Sequence, residues 1–139
     1  MEVKGQFLLD PKLENDSFYI SSLKLCELRL INNADYIWLI LVPKIKDIIE
    51  ITDLTGDQYS VVCNEIRYIA QLIQNEFGPD KLNIASIGNI VSQLHIHIIG
   101  RYKDDKLFPK PVWGHDFNHY PIGAAEKIIS QILKALEGF

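Results

Sequence analysis

The sequence predicts an α+β domain built on one antiparallel sheet, and three observations carry that reading. Two pairs of short alternating or apolar segments flank polar turn residues, as the arms of hairpins do. A long stretch between the pairs has apolar positions stepping by three or four, the period of a helix face. A second such stretch closes the chain, so the order is hairpin, helix, hairpin, loop, helix.

Taken in order, Gln6 to Pro11 reads equally as a short strand or an arm. Ser17-Phe18-Tyr19-Ile20 and then Leu23 to Ile31 alternate: Leu23, Leu25, Glu27 and Arg29 oppose Lys24, Cys26, Leu28 and Leu30, the pattern of a strand with one wet face. Asn32-Asn33-Ala34-Asp35 is a turn signal, because Asn and Asp make local hydrogen bonds and tolerate left-handed backbone. Tyr36 to Val42 is almost wholly apolar and reads as a central strand paired with the one before it. Pro43 ends it, having no N–H for the ladder. Lys44 to Asp53 is irregular.

Thr55 with Gln58 three residues on predicts a capping box, opening a helix to about Phe77. Its Val62, Ile66, Ile69, Ile73 and Phe77 form one stripe, and a helix following a hairpin lays that stripe across the sheet. Gly78-Pro79 stops it. Leu82 to Ile87 is a short strand, Gly88-Asn89 a turn, and Asn89 to Arg101 the strand that completes a second hairpin. After Arg101 comes KDDKLFPKPVWGHDFNHYP, without periodicity; such a loop in a small domain more often serves a site or a partner than nothing. Gly123 to Leu136 forms the last helix, with Ala125, Ile128, Ile129, Ile132, Leu133 and Leu136 along one side.

Bulk properties bound the function. The 139 residues make about one domain, spanning 1–139, and need no disulfide staple. Cys26 and Cys63 lack metal-ligand spacing and read as reduced thiols. The N-terminus MEVKGQFLLD is not a secretion signal, and no apolar run reaches the roughly 20 residues that cross a bilayer. A cytoplasmic protein without membrane contact is therefore expected. A net charge of -4 argues against nucleic acid, whose affinity comes from Lys and Arg on phosphates, but leaves room for one small anionic ligand.

Within Asn89 to Arg101, a period of two puts Gln93, His95, His97 and Ile99 on one face and Leu94, Ile96 and Ile98 on the other. The apolar face can pack on a helix. The opposite face carries an amide and two imidazoles where a merely structural sheet favours Thr or Val. Imidazoles at i and i+2 have Cα atoms roughly 6.5–7 Å apart, which suits one phosphate contacted twice. A ring nitrogen held by a backbone carbonyl fixes the tautomer that leaves the other free to attack. Two other readings stand beside this one: half-buried structural histidines, and a zinc site in which His115, His119 and Asp116 complete a His-x-His pair.

These residues resemble the signature of the histidine triad (HIT) nucleotide hydrolases and transferases, His-φ-His-φ-His-φ-φ with φ apolar. Here it reads Gln93-Leu94-His95-Ile96-His97-Ile98-Ile99, with glutamine at the first histidine. Gly88-Asn89, the Gly100-Arg101 exit and the strand Leu39-Ile40-Leu41-Val42-Pro43 support the likeness, and Pro111-Val112-Trp113-Gly114 resembles a segment of a bacterial HIT-like subgroup that has Gln at that position.

The resemblance implies a sheet of about five strands with one long helix across it and a C-terminal helix, a homodimer, and no cofactor. It implies a hydrolase of a nucleoside phosphate anhydride or phosphoramidate, for example a dinucleoside polyphosphate. His95 would be the nucleophile that carries the nucleotidyl group, His97 would contact the phosphate or leaving oxygen, and Gln93 would donate an amide but not titrate. Asn89 matches a phosphate-contacting Gln, Ser92 and the N–H groups after Gly88 are further phosphate candidates, and Asn32 lies near an acceptor for ribose hydroxyls. Leu30, Ile31 and Trp38 line either a base pocket or the core. The alternatives are a nucleotide-binding regulator without turnover and the zinc protein.

Overall fold

The computed structural model describes residues 6–137. The elements run α1 (Pro11–Asn15), β1 (Ser17–Ser22), β2 (Cys26–Ile31), β3 (Ile37–Pro43), α2 (Gly56–Phe77), β4 (Lys81–Ala85), β5 (Ile96–Arg101) and α3 (Ala124–Leu136). The five strands form one antiparallel sheet in the order β1-β2-β3-β5-β4. This is the expected α+β architecture, with three helices.

β3 lies at the centre of the sheet and is apolar because both of its faces are covered. Leu39 and Leu41 point to the side where α2 lays Val62, Ile69 and Ile73. Leu28, Leu30, Ile96 and Ile98 join them there, and fully burying each such side chain favours folding by about 1.5–3 kcal/mol. Trp38, Ile40 and Val42 point the other way, with Ile99, Leu13, Val91 and Val112. The helices α2 and α3 cover the first face, and the short α1 together with loops covers the second.

α2 begins as its capping box dictates: Gln58 N–H donates to Thr55 Oγ1 at 3.2 Å and Thr55 N–H to Gln58 Oε1 at 2.9 Å. It ends at Gly78 in the left-handed region, φ 58°, where a side chain would be strained. On α3, Ala125 and Ile132 are buried, while Leu133 is 40% exposed.

Four local expectations are corrected or completed. The strand expected from Asn89 begins only at Ile96, and residues 86–95 form a loop instead of a tight Gly88-Asn89 turn. Pairing of Ala85 with His97 leaves no ladder for those residues. The loop is held because Val91 buries on one face of the sheet, Leu94 on the other, and Leu94 N–H donates to Ile48 C=O. Ile90 consequently stands 86% exposed.

The strand expected from Leu23 starts at Cys26. Glu65 of α2, 4% exposed, accepts the backbone N–H groups of Leu25 and Cys26 and holds the reversal between β1 and β2. The wet face of β2 is not wet at Arg29, which is buried against Ser17 and Glu27. Finally, the undecided first stretch supplies the N-cap Asp10 and the single turn of α1. The expectation of one domain over 1–139 includes residues outside the described span.

Candidate active site

β5 and the loop before it deliver two imidazoles to the loop-covered face. His97 sits on β5 opposite Ile40, diagonal to Trp38 on β3. The Trp38 indole N–H donates to His97 Nδ1 at 2.9 Å. An indole nitrogen only donates, so Nδ1 holds a lone pair and the proton of the neutral ring is on Nε2. Burial first, and the nearby His95 second, push the His97 pKa down from 6.5 to about 3. It is therefore an uncharged ring with a fixed Nε2–H.

His95 has the opposite tautomer. Its Nδ1 lies 2.7 Å from the Gln93 backbone carbonyl, which only accepts, so the ring proton is on Nδ1 and Nε2 holds the lone pair. The two rings are 4.9 Å apart at 69°. Trp113 stands edge-on to both His97 and Trp38, at 5.3 and 5.7 Å.

Both imidazoles, though only 7% and 8% exposed, line a cleft of ≈ 610 Å³. One wall is the Gly88–Val91 loop with Asn89; the other is α1 and the residue after it, with Lys12 and Asp16; Trp113, Phe117 and His119 lie over it. Its charge is nearly balanced, because Lys12 Nζ pairs with Asp16 at 2.9 Å.

Of the residues the sequence singled out, the cleft brings together His95, His97, Asn89 and Asn32. Ser92 and Gln93 do not reach it; they border a separate depression beside Leu8, Asp10 and Pro11. Asn32 Oδ1 already accepts from Tyr120 N–H at 2.9 Å, which leaves its Nδ2 and one lone pair for a ligand. Among the described residues no group of three or more His, Cys, Asp or Glu side chains is placed to hold a metal, so His115, His119 and Asp116 do not complete a zinc set with the strand pair.

A HIT domain model matches residues 12–104, most of the chain. The chain belongs to the HIT family. Solved structures of HIT proteins superpose over nearly all of it. A histidine triad protein from Marinobacter aquaeolei is 33% identical with a TM-score of 0.93, covering 96% of this chain and 98% of its own. One from Bradyrhizobium japonicum is 35% identical with a TM-score of 0.90, covering 94% and 98%. One from Sinorhizobium meliloti is 37% identical with a TM-score of 0.90, covering 93% and 96%. No curated protein sequence matches the chain.

In this HIT domain the aperiodic segment after β5 is pinned at both ends. Arg101, 1% exposed, gives Asp105 two hydrogen bonds, Nε at 2.8 Å and Nη2 at 3.0 Å, and its guanidinium lies over the rings of Tyr36 and Phe108. Asp105 also receives N–H groups of Tyr102, Leu107 and Phe108. Further on, Ala34 N–H donates to Asn118 C=O and Asp35 accepts from Asn118. The β2–β3 turn therefore holds the Trp113–His119 cover over the cleft.

Sequence reasoning missed Lys12 and Asp16, whose place depends on a five-residue helix too short to show a period. Trp38, read as core or base pocket, sets the tautomer of His97. The signal for it was its place on the face of β3 that also carries Ile40 and Val42, the face shared with His97 once the register is known.

Proposed function

We propose that this HIT protein is a nucleotide hydrolase or transferase that cleaves at the α-phosphate through a nucleotidyl group on His95. The observation that carries this is the opposed tautomers of the two imidazoles: a lone pair at His95 Nε2 beside an N–H at His97 Nε2. One group attacks and the other donates.

His95 Nε2 gives its lone pair to phosphorus, forming a P–N bond. The bond from phosphorus to the leaving group breaks, and its electron pair leaves with that group, which takes any proton it needs from water. His97 Nε2–H holds a phosphoryl oxygen or the leaving atom. The His95 ring becomes cationic, and the Gln93 carbonyl at its Nδ1–H stabilises that charge. Water then attacks phosphorus and releases a proton to solvent, the P–N bond breaks, the pair returns to Nε2, and a nucleoside monophosphate departs. Asn89 offers its amide to the α-phosphate, and Asn32 with Asp16 faces the ribose hydroxyls.

Two proteins of the same fold agree with this reading: a Plasmodium falciparum diadenosine triphosphate hydrolase, 18% identical with a TM-score of 0.63, and a Sulfolobus tokodaii protein described as histidine triad nucleotide-binding, 16% identical with a TM-score of 0.70. A homodimer and a cytoplasmic setting belong to the same proposal; the unpaired outer edge of β4, where Ile84 is 47% exposed, and the two free thiols are compatible with them.

The test is incubation with radiolabelled diadenosine triphosphate and adenosine 5′-phosphoramidate, followed by an alkaline quench. An acid-labile labelled protein that disappears in His95→Ala is expected. Nucleotide binding without adduct or turnover would replace the enzyme by a nucleotide-binding regulator.

A further inference from the structure

We infer that Gln93 is a positioning residue that sets nucleotide affinity by clamping the α1 wall of the cleft to the loop that presents His95. The inference rests on the nucleotide reading above. Gln93 Nε2–H donates to Leu8 C=O at 2.9 Å, and Gln93 Oε1 accepts Asp10 N–H at 2.8 Å. One side chain thus pairs with the backbone of two residues as a neighbouring strand would.

What the pairing holds is the start of α1. Asp10 Oδ1 accepts Lys12 N–H at 2.8 Å and Asp10 C=O accepts Glu14 N–H at 3.1 Å, so Asp10 is the N-cap of this turn. At the other end Asp16 C=O accepts Asn32 N–H at 3.0 Å. A single turn has no helical stability of its own. The position of Lys12 and Asp16 in the cleft is therefore decided by these anchors, one of which is Gln93.

The same residue serves the other side of the site through its main chain, whose carbonyl takes the His95 Nδ1–H. An imidazole at 93 could not make the clamp. Its two nitrogens point away from each other across the ring, whereas an amide presents donor and acceptor side by side. The glutamine in place of the signature's first histidine is thus a clamp suited to this chain's N-terminal segment.

The experiment compares wild type with Gln93→Met, close in shape but without either bond, and with Gln93→Glu, which keeps the acceptor and loses the donor. Amide exchange at Asp10, titration calorimetry with AMP, and KM and kcat for adenosine 5′-phosphoramidate are measured on each. Faster Asp10 exchange, with AMP Kd and KM raised about ten-fold in Gln93→Met and KM raised by a larger factor than kcat is lowered, is expected from the loss of two hydrogen bonds that act on the wall. Gln93→Glu carries the same comparison should the Met variant fail to fold. A merely structural role would lower stability without separating KM from kcat. Variants that bind AMP as wild type does, or lose kcat as much as they gain KM, overturn the inference alone. Wild type that neither binds AMP nor turns over overturns the nucleotide reading and this inference with it.

Discussion

Trp38 and His97 stand diagonally across β3 and β5, and the indole N–H donates to the imidazole Nδ1 at 2.9 Å. This one bond selects which His97 nitrogen carries the proton. Trp38→Phe keeps a ring in the same place and removes the donor, leaving Nδ1 buried without a partner. The expected result is a loss of about 1–2 kcal/mol in stability and a kcat lower by about ten-fold. Ring ¹⁵N chemical shifts check the cause: Nδ1 should resemble an unprotonated nitrogen in wild type and shift towards a protonated one in the variant. An unchanged spectrum would remove Trp38 from the tautomer argument.

The depressed pKa of His97 makes folding sensitive to acid in a defined window. In the unfolded chain this histidine takes a proton near 6.5, and in the folded protein only near 3. Between those values the unfolded chain binds the additional proton, so falling pH favours unfolding. The contribution is intact above 6.5 and is lost towards 3, at up to about 1.4 kcal/mol per pH unit. Urea unfolding at pH 7, 6 and 5 should therefore show a steeper loss for wild type than for His97→Gln. Parallel curves would count against a neutral, buried ring.

Asp105→Asn tests the root of the cleft cover. Arg101 is fully buried, and the substitution leaves it with Asn83 but, among the described residues, without its paired carboxylate. Breaking a buried pair from one side costs about 3–5 kcal/mol. Chemical denaturation measures that loss, and amide exchange at Leu107 and Phe108 should accelerate because both N–H groups donate to Asp105.

Asn89→Ala separates binding from stability. The residue is exposed on the loop at the cleft, so folding should change by less than about 0.5 kcal/mol. KM for adenosine 5′-phosphoramidate should rise about five- to ten-fold through a lost hydrogen bond to the phosphate. An unaltered KM would place the phosphate elsewhere.

The sequence by itself determined the order of the sheet strands and the two long helices, though not every boundary, and one face of the site. Leu94, Ile96 and Ile98 alternate and do pack towards the helices, Thr55 and Gln58 do cap α2, and the run Gln93 to Ile99 resembles the signature of the HIT family to which the chain belongs. These are local features, in which a residue's neighbours in the chain decide where its side chain points. What only the tertiary structure decided lies in contacts across long separations. Trp38 meets His97 over 59 residues, and Gln93 meets Leu8 over 85. Strand register and the wrapping of residues 86–95 select those partners, and periodicity carries no information about either. Hence the chain announced two histidines on one face, while the assignment of a lone pair to one and a proton to the other awaited the fold.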